Sequence, residues 1–384
     1  MRKPKDWGQP CPNPACPHDR RMPQGNVSAL ATYLTPSGKR RVLRCRTCAT
    51  HFAETRETVF FDLRTSEEKG MMALKMLLVR VDLTGLSFVR GVTEETVWAW
   101  LRRAAQQAEE SNRHLRRDLP VTQGQLDELW NFIERTHACE TDAAGASLPT
   151  SEDGRHWVWV SFAPALRLMI AASVGPRTLD TAKEVVAATK ARVAGIPAFF
   201  SDGVTCSLAA LLAACHVVTT FARTGTRGRP RPPVCEPHPE LIYGQLVTQK
   251  QHGKLLTLSP RIVRGAERLT HLGLTLSTAL VERVNLTLRQ ALAPWARKTS
   301  SCCTDRERMR QRVVFLQAFY NVARPHRSVR QPLPLHERTR QGALCPRWRE
   351  RTPGMAAGLT DHVWPFRELR TAKFEPLDSQ SISG

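Results

Sequence analysis

The chain has 384 residues, 41% of them hydrophobic, with 9 Trp and 13 Phe, enough apolar mass for two or three packed domains. Fifty-six Lys and Arg stand against 35 Asp and Glu, and the formal net charge of +21 makes a polyanion, nucleic acid first, the expected partner. No window approaches the roughly 18 apolar residues of a membrane span, and MRKPKDWGQP has no apolar run behind its basic residues, so neither secretion nor membrane insertion is expected.

Residues 1 to about 55 are rich in Pro, Cys and Arg, with little helical periodicity. Cys11-x4-Cys16 and Cys45-x2-Cys48 flank a stretch with turn signals at Pro23, Gly25, Pro36 and Gly38. Two such knuckles can close a tetrahedral thiolate site around zinc, and a segment too small for its own core needs that staple. A zinc ribbon is expected, with His18 and His51 near enough to replace one thiolate. The other cysteines are scattered, which fits a reducing cytosol with one metal site better than a disulfide framework.

From about 64 to 108 the pattern is helical. Thr65 and Glu68 make a capping-box pattern ahead of Met71, Met72, Leu74, Leu77 and Leu78. After Gly85, a short helix, a turn at Gly91 and a third helix capped by Thr93 follow, with Val97, Trp100 and Leu101 at core spacing. This is a helix-turn-helix pattern in which Thr93, Glu94, Thr96, Arg102 and Arg103 would meet the major groove or its phosphates. An ordinary helical hairpin has the same pattern, since Glu94 and Glu95 suit any helix start.

Beyond about 120, strands and helices alternate. QLDELWNFIE reads as a strand, HWVWVSF and RLMIAASVG as a hairpin turning at Pro164, TLDTAKEVVAATKARV as an amphipathic helix, PAFFS as a buried strand and SLAALLAAC as a helix. Three strands, helix, strand, helix is the ribonuclease H-like order. The expected fold is therefore α/β, a mixed sheet with helices on both faces. Residues 221–268 interrupt it with a Gly-, Pro- and Arg-rich loop and two strand-like runs, ELIYGQLVTQ and KLLTLSPRIV, before helix resumes near 276.

Three acids stand where phosphodiester chemistry would use them. Such chemistry needs positive charge on the attacking and leaving oxygens, which a pair of Mg2+ or Mn2+ ions held by carboxylates supplies. Asp202 follows a buried strand and precedes a helix, so it projects at the carboxyl end of the sheet. Asp127 lies within the first strand, beside Glu128, which competes with it for the role. On the helix near 276, Leu280, Val281, Val284, Leu288 and Leu292 form an apolar stripe, while Glu282, Asn285 and Arg289 share another face suited to a metal ligand and DNA contacts. Each acid also has an ordinary reading: Ser-Asp-Gly makes turns, and Glu282 suits any helix surface.

The fragments CPNPAC, RCRTCATHF, TVWAWL, LDELWNFI, GPRTLDTA, FFSDG, VERVNLTLRQ, ARKTS and FYNVARPHRSV together resemble the insertion-sequence-one family of bacterial and archaeal DNA transposases, from about residue 11 to 335. The resemblance implies that Asp127, Asp202 and Glu282 are the DDE metal ligands, with Arg283 and Asn285 beside the last acid. It also implies that the ribbon and helix-turn-helix read the terminal repeats of a mobile element, and that a homo-oligomer assembles on double-stranded DNA in the nucleoid-associated cytoplasm of a prokaryote. The stretch from Asp202 to Glu282 is longer than in compact members.

Within the interruption, Arg227-Gly228-Arg229-Pro230 resembles an AT-hook core for a narrow minor groove, or is a Pro-stiffened basic linker touching phosphates. His326, in ARPHRS, is either a substrate-phosphate contact or a helix-ending surface residue. The expected organisation is a zinc ribbon at 1–55, a helix-turn-helix at 56–112, a catalytic domain at 113–330 and a tail at 331–384. The function expected is metal-dependent strand cleavage and strand transfer. Its rivals are a catalytically inert DNA-binding regulator and a resolvase-like nuclease that cuts without joining.

Overall fold

The computed structural model describes residues 9–19, 25–56, 58–132, 155–202, 205–221, 232–251, 254–295, 305–334 and 347–374. Strands β1 (Val27–Thr35), β2 (Gly38–Cys45) and β3 (His51–Ala53) form an antiparallel sheet in that order. Val27, Leu43 and Phe52 are its whole apolar cluster among the described residues, and the cysteines form a second cluster. So little buried surface does not hold a sheet unaided, and the cysteine cluster is where additional binding energy can enter.

Helices α1 (Glu67–Leu77), α2 (Leu83–Arg90) and α3 (Glu94–Leu115) follow. The α1 cap is Ser66, whose hydroxyl accepts the Lys69 N–H at 3.4 Å, one residue after the expected Thr65. Either hydroxyl can cap; the register is decided by Ala73, Leu74 and Leu77, which have to reach the core. Asp82 caps α2 by accepting the Gly85 N–H at 3.0 Å, so Gly85 lies in the first turn of α2 and does not precede it. Gly91 ends α2 with φ +59°, a left-handed conformation that glycine adopts without a Cβ penalty. Thr93 caps α3 as expected, accepting the Thr96 N–H at 3.3 Å.

The main sheet comprises β4 (Gln123–Phe132), β5 (Arg155–Ala163), β6 (Leu168–Gly175), β7 (Ala198–Ser201), β10 (Tyr243–Gln251) and β11 (Lys254–Arg264). Helices α4 (Leu179–Lys190) and α5 (Thr205–Ala214) flank β7 in sequence, and β8 (His216–Thr219) with β9 (Val234–Pro237) makes a separate two-stranded ribbon. Spatial order is β11-β10-β7-β4-β5-β6; β4, β7 and β10 are parallel, and the other pairings are antiparallel. This order is consistent with the ribonuclease H-like order expected from the sequence. One expectation changes: the second half of the 221–268 interruption is not external to the sheet, because β10 pairs beside β7 and β11 forms the edge. Gly244 permits that junction, since a Cβ there would lie 2.5 Å from the Leu276 side chain.

Side-chain alternation assigns the sheet's two faces. Leu126, Trp159 and Ala171 pack with α4 and α5 residues such as Val185 and Leu211. Leu129, Val158, Val160 and Phe162 pack on the other face with Val281 and Leu288 of α7 (Ala279–Ala291) and with Val313 and Leu316 of α8 (Arg306–Ala318). The short helix α6 (Ala266–His271) leads from β11 toward α7, and a π turn, Phe319–Ala323, closes α8. The three N-terminal helices join this second core through Leu74, Leu86, Trp100 and Leu101.

The described part of the tail has β13 (Trp348–Arg349) paired with β12 (Gln331–Pro332), followed by α9 (Pro353–Ala356). Trp364 and Leu369 are buried in the core shared by α1, α3 and α8. Arg370 is 1% exposed with its guanidinium 4.4 Å from the Phe60 ring centre, and Arg367 donates to Glu67 at 2.8 Å. Among the described residues, no helix is long and apolar enough to cross a membrane.

Candidate metal centres and nucleic-acid contacts

Parallel pairing of β4 and β7 sets Leu126 opposite Ser201, so the next residues, Asp127 and Asp202, are neighbours at the end of the short strand. One carboxylate oxygen each from Asp127, Glu128 and Asp202 lies within 4.8 Å of the others, an arrangement that can hold a metal ion. Asp127 is 8% exposed; its Oδ1 accepts the Glu128 backbone N–H and its Oδ2 accepts the Asn285 amide, both at 2.8 Å. The Glu128 carboxylate accepts from Arg177 Nε at 2.9 Å, and that guanidinium stacks over Trp157.

Burial pushes Asp127 up to about 8, with the Asp202 charge adding to the rise and the Glu128 N–H opposing it. Glu128 is pushed up to about 7, by burial first and Asp202 second, against the pull of Arg177. Unit charges about 4 Å apart near a protein surface interact by about 4 kcal/mol, and less where one of them, here Asp202, faces solvent. A cation between the carboxylates turns that repulsion into attraction.

Glu282 is exposed on α7, accepts from the Thr278 hydroxyl at 3.1 Å, and is not among the three clustered acids. Its charge nevertheless contributes to the rise at Asp127. Two of the three expected acids are thus brought together, Glu128 is the third member of the cluster, and Glu282 stands beside it. Gln125 went unremarked in the sequence, yet it ties the first turn of α7 to β4: Nε2 donates to Ser277 O at 2.6 Å and Oε1 accepts the Val281 N–H at 2.9 Å. Its signal was alternation, since Gln125, Asp127 and Leu129 share one strand face.

The cysteine expectation converges in space. All four Sγ atoms lie within 4.8 Å of one another, with Cys11 and Cys48 at 3.5 Å and Cys16 and Cys45 at 4.0 Å. A zinc–sulfur bond of about 2.3 Å gives a tetrahedral edge of about 3.8 Å, between those two values. Hydrogen bonding from Thr50 holds the Cys48 thiol down to about 6, whereas burial pushes Cys11 well above the ordinary thiol range. The thiol set is complete without His18 or His51.

The residues expected to meet DNA divide. Thr93 and Thr96 lie at the start of α3, their hydroxyls 2.9 Å apart. Farther along, α3 packs on α8: Arg308 and Arg312 stack on Trp98 at 4.8 and 4.7 Å, and Arg310 pairs with Glu109. Arg102 is exposed and lines the hollow between these helices, and Arg103 donates to Phe61 O at 2.6 Å. Asn285, expected on a DNA-facing stripe, is instead 7% exposed and bound to Asp127, because its position on α7 faces β4. Arg289 is half-buried two turns beyond Glu282, and Arg283 is exposed. Arg227 and Arg229 lie outside the described residues.

No family model matches the chain, and no curated protein matches it. Among solved structures, it aligns with a Mos1 transposase paired-end complex with the left transposon end at 13% identity, covering 38% of this chain and 56% of that one, with a TM-score of 0.16. A Mos1 mariner paired-end complex with Mn aligns at 11% identity, covering 37% and 55%, with a TM-score of 0.15. A Mos1 strand transfer complex aligns at 13%, covering 37% and 52%, with a TM-score of 0.14. The chain spans little more than half of each of these proteins.

Proposed function

We propose that this protein is a DDE-type DNA transposase, in which a zinc ribbon and helix-turn-helix bind element ends and a ribonuclease H-like domain cuts and joins strands. The observation that carries the reading is the convergence of Asp127, Glu128 and Asp202 at the ends of parallel strands, with Asp127 and Glu128 displaced upward by burial and mutual charge. Structural acids are ordinarily neutralised by a basic partner. Here Arg177 serves Glu128, and Asp127 takes an amide in place of a cation.

The donor set fits a hard cation: every clustered group is a carboxylate, and among the described residues the buried Oδ1 of Asn285 has no hydrogen-bond partner. Asp127 and Asp202 would hold Mg2+ or Mn2+, with Glu282 approaching from α7 as the third acid and Glu128 committed to Arg177. Such ions supply charge neutralisation on the attacking and leaving oxygens of a phosphodiester. Asn285 orients Asp127, and Gln125 fixes the α7 turn that carries Glu282. The four thiols fit structural zinc, which would fold the small sheet that presents α1–α3 to DNA. Assembly as an oligomer on double-stranded DNA, inside a prokaryotic cell, belongs to the same reading.

The test is incubation with Mg2+ or Mn2+ and DNA carrying candidate ends, scored for nicked and joined products. Asp202→Ala and Glu282→Gln are expected to remove both products at unchanged DNA affinity, whereas Glu128→Gln leaves most of the activity. Cleavage surviving Asp202→Ala would sink the assignment; binding without cleavage under either metal would favour the inert regulator.

A further inference from the structure

A hollow of about 520 Å³ opens between α7 and the chain after α8, lined on the basic side by Arg167, Arg283, Arg324, Arg327 and His326. No acidic side chain lines it, and among the described residues none of those four arginines has a carboxylate partner. Four unneutralised guanidiniums around one concavity repel each other, which an anion relieves. His326 adds a donor: its Nδ1 accepts the Ser328 N–H at 3.2 Å, so when neutral the ring carries its proton on Nε2. Burial and then Arg167, Arg324 and Arg283 hold that imidazole below its ordinary range.

Arg167 sits at φ +56° in the β5–β6 turn, a conformation that suits glycine and that an arginine adopts only against steric cost. The hollow also has a position relative to the acids. Phe162, on its floor, pairs with Gln125, while Val160 pairs with Asp127, so the hollow starts two residues, about 7 Å, along the sheet from the acid cluster. Arg283 directly follows Glu282 on α7.

We propose that this hollow binds a backbone phosphate of the DNA strand whose neighbouring phosphodiester occupies the acid cluster, with the arginines as its charge partners and His326 as a further donor. The identity of the ligand as DNA rests on the reading above; the hollow's affinity for phosphate does not. Arginine forks match phosphate oxygens in pairs, and the volume accommodates the flanking sugars as well.

Labelled duplex DNA and inorganic phosphate are the two probes, with full-length protein throughout. Arg324→Gln and Arg327→Gln are expected to weaken duplex binding about tenfold and to lower the slope of log affinity against log salt by about one each. Arg261→Gln, the same charge loss on exposed β11, serves as the comparison and should change the slope less. Arg167→Gly should leave the melting temperature unchanged or raised while weakening duplex binding, which a purely structural arginine would not do. Wild-type slopes in all three hollow variants would overturn the proposal. Loss of inorganic phosphate binding with duplex binding intact would overturn the DNA assignment and leave a free-phosphate site. Because these measurements need no cleavage, inactivity of the wild-type enzyme would count against the transposase reading alone.

Discussion

Asp127 concentrates the residue-scale physics. Its folded value near 8 lies above the ordinary 3.8, so folding favours the protonated acid. That contribution is complete below the unfolded value and is lost as pH rises through about 8. Glu128, raised to about 7, acts in the same direction. Metal-free protein should therefore melt several degrees lower at about pH 8.5 than at about pH 6, and millimolar Mg2+ should narrow the difference. Asp127→Asn should shrink the pH dependence; a metal-free wild type that melts equally at both pH values would contradict the burial argument. Asn285→Leu keeps the volume and removes the donor to Asp127, so divalent-metal affinity measured by calorimetry should fall about 10- to 100-fold. An unchanged affinity would make that hydrogen bond irrelevant to the site. Both acids and Asn285 were visible in the sequence, but only the packing of α7 on β4 showed that Asn285 donates to Asp127.

Among the elements, the small β1–β3 sheet and the helix α7 depend on outside support. Three buried apolar residues do not offset the entropy of ordering the strands. Zinc binding at such a site contributes on the order of 10 kcal/mol, so a strong chelator should unfold this sheet and leave the main sheet intact. Hydrogen exchange would show it, as loss of protection confined to residues 25–53, and Cys45→Ser should behave the same way. Protection persisting after complete metal removal would mean that the thiol cluster is not the staple. Element type was legible wherever periodicity ran long, as in α3, α4, α7 and the β5–β6 hairpin. Less was legible where one hydroxyl could substitute for another, as at Thr65 and Ser66. Pairing was not legible at all for β10, whose residues read as a strand but did not say which sheet they join.

Across the whole molecule, the tail changes what the domains are. Trp364 and Leu369 complete the core between the N-terminal helices and α8. Gln107 of α3 donates to Ala372 O, and the Phe374 ring stacks on His114 at 4.8 Å. Trp364→Ala should cost about 3–5 kcal/mol, lowering the melting temperature by roughly 5 °C. An unaltered melting curve would show that the tail rests on the surface without stabilising it. The sequence by itself determined composition-level and local facts: the basic charge, the thiol spacing, the caps at Thr93 and Gly91, and the strand-helix order, because each depends on neighbouring residues or on a short period. The tertiary structure alone decided that Asp202 joins Asp127 and Glu128, that Gln125 locks α7, that β10 enters the sheet and that Arg167, Arg283 and the Arg324–Arg327 segment share one hollow. Those are contacts between residues far apart in the chain, fixed by strand register and helix packing, which no local pattern specifies.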